Sequence, residues 1–122
     1  MLAHVGMLSW SASATGTPVY LEAVTDPQAD PMIPGGISLL RFTDTVLSRS
    51  PERHAAGDEV ARTLGPAALV NAASVIATFQ MMNRVADGTG MPVGKGARIR
   101  NAELIARLGL DRFDHADGRT AP

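Results

Sequence analysis

Three polar residues, Asn83, Arg84 and Asp87, close the longest helix-forming run of the chain. Arg84 and Asp87 are three apart and Asn83 and Asp87 four apart, so on a helix the members of each pair can touch. The trio reads first as a small polar network that fixes the last helical turn against a neighbour. The sharper reading is a ligand or proton-transfer site. Nothing in the spacing brings His54 to Arg84. The remaining histidines, His4 and His115, stand in unlike surroundings, and none of the three sits in an HExxH arrangement. Asp111, Asp114, His115 and Asp117 gather possible hard ligands. A metal ion needs ligands fixed on a scaffold, and this group belongs to a polar tail, so neither a metal nor a cofactor is expected.

Composition removes several chemistries. With no cysteine there is no disulfide, no thiolate metal site and no thiol catalysis. The glycine-rich stretch Gly88 to Gly96 invites a phosphate-loop reading, which fails. Gly90 to Gly94-Lys95 is one residue short, Lys95 is followed by glycine, and the loop leaves a helix instead of a strand. A formal charge of −1 creates no field to recruit nucleic acid or a membrane. The charges are uneven: Glu22, Asp26 and Asp30 precede the first cation, Arg41, and cations dominate from Lys95 to Arg112. This reads as scattered solvated charge, or else as an acidic N-terminal arm lying over the basic C-terminal part, within one chain or across a dimer. The N-terminus has no cationic segment followed by an apolar one, so a secretory signal is not expected and the default address is cytoplasmic.

The run that carries the trio, Pro66 to Asp87, is expected to be the core helix. Proline suits a first helical position, the run is rich in alanine, and Gly88 with Pro92 beyond it should stop it. Its wet side changes halfway. Asn71, Ser74 and Thr78 fall on one side, and Gln80, Asn83, Arg84 and Asp87 roughly opposite. Val75, Phe79, Met82 and Ala86 stay apolar along most of its length. Such a helix should be covered by different neighbours at its two ends, one of them in a second subunit. Its polar residues rule out a membrane span.

Upstream, Ile37 to Arg49 reads as a helix with Leu39, Leu40, Phe42, Val46 and Leu47 inward and Ser38, Arg41 and Thr45 outward. Ser50-Pro51-Glu52 is a good helix start, and Gly57-Asp58 should break the helix that follows before Gly65. Downstream, Asn101 should cap a short helix from Ala102 to Leu108, closed by Gly109. Residues 1–36 are the least legible. Met1 to Trp10 suits one short helix or an anchoring arm, Ser11 to Thr17 a loop, and Thr25 to Gly36, with three prolines, a linker or extended arm.

The segment Leu69 to Pro92, with Val70-Asn71-Ala72-Ala73, Phe79, Asn83-Arg84-Val85-Ala86-Asp87 and Gly90-Met91-Pro92, resembles the last helix of the alkylhydroperoxidase D-like family. That family includes the carboxymuconolactone decarboxylases. Leu39-Leu40-Arg41-Phe42-Thr43-Asp44 is similar to the helix that precedes it there. The likeness spans roughly Gly35 to Pro92. It implies packing roles for Phe79, Asn83, Arg84 and Asp87. Peroxidatic relatives carry a CxxC pair with a nearby histidine and glutamate on an earlier helix, and this chain has no counterpart. The decarboxylase relatives use acid–base chemistry, which needs no thiol; a carboxylate-binding cation and a proton donor would serve it, and the resemblance implies Arg84 and His54 as the residues that could supply them.

The expected fold is all-α: a small helical bundle of this family's kind around one long central helix (66–87), with an irregular N-terminal arm. The expected organisation is an arm over 1–36, a helical core domain over 37–110 and a polar tail over 111–122. The expected partner is a second copy of the chain, in a dimer or larger homo-oligomer.

Overall fold

The computed structural model describes residues 2–91 and 94–113. They form six α-helices and no strand: α1 (Leu2–Thr15), α2 (Gly36–Leu47), α3 (Arg53–Leu64), α4 (Pro66–Thr89), α5 (Lys95–Arg100) and α6 (Ala102–Leu108). Single 3-10 turns lie at Leu21–Val24 and Leu110–Phe113. The all-α expectation holds, and the long helix is where it was expected. The chain divides into two compact units, one from Met1–Pro31 with Val93–Pro122 and the other from Met32–Pro92.

In the second unit α2, α3 and α4 pack on one another. Phe42, Ala56 and Val60 form its buried core, and Leu39, Val46, Leu64, Leu69, Ala72 and Ile76 close around them. Gly57 does not break α3, which runs unbroken from Arg53 to Leu64. Gly57 is buried, and a β-carbon there would lie 3.3 Å from Phe42 Cε2 and 3.4 Å from Leu69 Cδ1. The glycine lets three helices approach closely, which outweighs its poor helix propensity. Ser38 was expected outside but is buried, because its hydroxyl donates to Glu59 Oε1 at 2.9 Å. Ser50 accepts the Glu52 amide in a turn just before α3 and does not cap the helix itself.

α4 ends two residues later than Gly88 suggests. Gly90 takes the left-handed conformation at φ 65°. The Met91 amide then donates to the Ala86 carbonyl and the Gly90 amide to that of Asp87. This pair of bonds is the Schellman closure, and it needs the left-handed residue just past the helix, so Gly88 is carried inside.

Gly35 starts α2 at φ 66°, and a β-carbon on it would lie 2.6 Å from Leu64 Cδ1. An alanine there combines left-handed strain of about 1–2 kcal/mol with overpacking of about 1–3 kcal/mol. Gly35→Ala is therefore expected to lower the stability of this unit by about 2–5 kcal/mol, read from urea unfolding. A loss under ~0.5 kcal/mol would show that Leu64 gives way freely.

In the first unit Val5, Leu21, Ile105, Leu108 and Leu110 form the core, joined by Val19 and Leu104. α1 covers the stretch from Ser11 to Thr15 that was expected to be loop. The Thr15 hydroxyl donates back to the Ser11 carbonyl at 2.9 Å, and Gly16, at φ 64°, ends the helix. Asn101 precedes α6 as expected but does not cap it, since its side-chain amide donates to the Ala97 carbonyl of α5 at 2.8 Å.

Candidate functional site

Asn83, Arg84 and Asp87 lie in the last two turns of α4, and all three are exposed. Among the described residues none of them makes an ion pair or a side-chain hydrogen bond. Their setting follows from helix lengths. α4 has 24 residues, while α2 and α3 have 12 each. At 1.5 Å per residue α4 is about 36 Å long and its companions about 18 Å. Leu69, Ala72 and Ile76, the α4 residues packed on the core, all belong to its first half. Arg84 lies eight residues, about 12 Å, beyond Ile76.

α4 is thus long and central but not enclosed, against expectation: none of its residues is buried. The strip that stays apolar is open, with Val75 54% and Met82 45% exposed. Val70, Met81 and Val85 are exposed on the other side. The hydroxyls of Ser74, Thr78 and Thr89 donate to the carbonyls of Val70, Ser74 and Val85. Bonded in this way, they can be covered by an apolar neighbour without leaving an unsatisfied donor.

His54 is exposed in the first turn of α3 and forms no side-chain hydrogen bond or ion pair among the described residues, so no contact joins it to Arg84. His4 is half-buried in α1. Asp111 pairs with Arg98 at 2.8 Å, while Asp114, His115 and Asp117 lie outside the described residues. Among the described residues no group of three or more His, Asp or Glu side chains is placed to hold a metal ion. No described helix is long and apolar enough to cross a membrane.

Two polar clusters escaped the reading of single residues. In the second unit Arg41 bridges Glu59 at 3.2 Å and Glu52 at 3.3 Å, and Glu59 also takes the Ser38 hydroxyl. This group ties α2 to α3. The bonded partners are 11 to 21 residues apart, so only the packed hairpin brings them together.

In the first unit Arg107 Nε donates to Glu22 Oε1 at 2.7 Å, and Arg112 Nη2 donates to the Thr25 carbonyl at 2.9 Å. The acidic arm meets the basic C-terminal part within one chain. The hydrogen bond from Arg107 holds the Glu22 carboxyl below the usual carboxylate range, helped by Glu22's own amide and opposed by burial. A lowered carboxylate value means stability that is present above about pH 4.3 and lost as the pH falls through the folded value. The melting temperature of the wild type is therefore expected to fall on acidification below that point, and that of Glu22→Gln to fall less. Equal acid sensitivity in the two would show that the pair does not couple to folding.

No family model, curated protein or solved structure matches the chain.

Proposed function

We propose that the chain is a cysteine-less, non-peroxidatic relative of the alkylhydroperoxidase D-like proteins that works as a self-associating helical module. The family part of this reading rests on the residues of α2 and α4 that resemble it. α2 and α4 do pack together in one helical unit. The self-association rests on a single observation: a helix of 24 residues, none of them buried, with an open apolar strip along its length.

Magnitudes limit how that strip works. Fully burying a valine, phenylalanine or methionine is worth about 1.5–3 kcal/mol. Val75, Phe79 and Met82 are each roughly half exposed, so covering them on two protomers contributes about 6 kcal/mol. Association costs about 4–15 kcal/mol in lost freedom. The strip alone is therefore marginal, and a stable particle has to cover more of α4 than the strip.

Light scattering on the full chain after size exclusion tests the reading, with a dimer or larger particle expected. A well-folded monomer at all concentrations would refute it. With no thiolate to attack peroxide, a peroxidase assay with a dithiol donor is expected to give no turnover, and measurable turnover would refute the non-peroxidatic part.

A second reading is an acid–base enzyme of the carboxymuconolactone decarboxylase type, with a pocket at a subunit interface near Arg84. It is favoured by an exposed arginine that has no ion-pair partner among the described residues. A small organic acid whose binding disappears in Arg84→Ala would support it. Equal binding in wild type and variant would dismiss it.

A further inference from the structure

The core of the first unit is shared between two distant stretches of chain. Val5, Val19 and Leu21 supply one side, and Leu104, Ile105, Leu108 and Leu110 the other. The polar ties repeat this division. Arg107 reaches Glu22 across 85 residues, and Arg112 reaches the Thr25 carbonyl across 87. Residues 2–31 thus form an arm, and residues 94–113 the body on which it packs. What joins the two along the chain is the whole of the second unit. An identical arm from a second copy would meet the body through the same contacts.

The arm ends in a strained joint. The Tyr20 amide donates to the Pro31 carbonyl at 3.4 Å, so the arm closes at Pro31, where this stretch of the first unit also ends. Met32 follows at φ 60°, a left-handed conformation that is strained for any residue with a β-carbon and free for glycine. Met32, Ile33 and Pro34 are all exposed. Pro34 also biases Ile33 toward extended backbone. Short hinges under strain invite identical elements to change places between copies. Straightening Met32 relieves its strain and carries the arm away from its own body.

We infer that two copies associate by exchanging their arms: residues 2–31 of each chain pack on residues 94–113 of the other, with the joint at 32–34 opened. This rests on the self-association proposed above and says how the copies are held. Glu22 then meets the partner's Arg107, and the Thr25 carbonyl the partner's Arg112. Every contact of the first unit is kept but is made between copies, while two strained joints are relaxed.

Charge reversal in the full chain tests the exchange. Glu22→Arg and Arg107→Glu each set like charges together at a clasp where Glu22 Oε2 is buried, with no hydrogen-bond partner among the described residues. Each variant carries that mismatch in its monomer and in its own dimer alike. Refolded together, the two can form a mixed dimer in which reversed arm meets reversed body and native arm meets native body. The mixed dimer is expected to outnumber the two unmixed dimers together at least about tenfold in native mass spectrometry. Equal shares of mixed and unmixed dimer would overturn the exchange while leaving self-association standing. A wild type that is monomeric at all concentrations would instead remove the reading beneath it. A second measurement leaves the clasp intact. The chain has no native cysteine, so spin labels can be placed on Val24→Cys of one chain and on Ala106→Cys of another. Dipolar broadening is expected in their mixed dimer, and a mixed dimer without it would overturn the exchange. Met32→Gly, which removes the strain of the closed joint, is expected to raise the dissociation constant at least about tenfold. An unchanged constant would overturn the part assigned to Met32.

Discussion

Val75→Asp combined with Met82→Asp is expected to give a folded monomer. Both side chains are about half exposed in the single chain. Changing them therefore removes little packing within the chain, and the cost to folding should stay near ~0.5 kcal/mol. In an assembled particle the same positions face another apolar surface. Four carboxylates would then have to be desolvated per dimer or else ionise less readily, at several kcal/mol. The dissociation constant is expected to rise at least about a hundredfold, which corresponds to ~2.7 kcal/mol. Sedimentation velocity reads the mass and circular dichroism the fold. An unchanged mass would place the contact elsewhere on the molecule, and loss of helix signal would show that the strip serves folding.

Phe42→Ala is expected to unfold the second unit. Phe42 is 7% exposed and packs in the core with Ala56 and Val60. Removing a buried phenylalanine ring costs about 3–5 kcal/mol in lost transfer energy and a residual cavity. At about 0.05–0.15 kcal/mol per residue, a unit of this size holds only some 3–9 kcal/mol. The substitution thus removes most of what keeps α2, α3 and α4 together. Helix content is expected to fall by about two thirds, since α2, α3 and α4 hold most of the helical residues, and self-association to disappear with it. Phe42→Leu, which refills part of the space, should keep the fold at reduced stability. A Phe42→Ala chain that melts like the wild type would mean that the ring is not what joins the three helices.

The parts of this fold that were legible in the sequence are those set by local rules. Pro66 and a run of alanines mark α4, and the apolar spacing of α2 and α6 marks those helices. Local rules failed where tertiary contact decides. Gly57 reads as a breaker because its propensity is poor, yet the close approach of Phe42 and Leu69 is what calls for glycine there. Ser38 reads as surface because it is polar, yet Glu59, 21 residues away, satisfies it inside. Residues Ser11 to Thr15 read as loop because serine and threonine are weak helix formers, yet their helix runs on to the first glycine that can close it. The candidate site was legible as a list of residues but not as a place. Asn83, Arg84 and Asp87 were found from their spacing. That they stand past the end of the packed core depends on α4 being twice as long as α2 and α3, a relation between elements that no single stretch contains. The pairing of Glu22 with Arg107 left one trace in the sequence, the separation of acidic and basic residues toward opposite ends.

Hydrogen exchange of the full-length chain, compared at protein concentrations well above and well below the dissociation midpoint, bears most directly on the claim that another copy covers the open length of α4. Amides of residues 77–89 are expected to be more protected at high concentration, in step with the rise in mass, while those of α1 and α6 stay unchanged. Protection of residues 77–89 that is the same at both concentrations, with the mass changing between them, would contradict it.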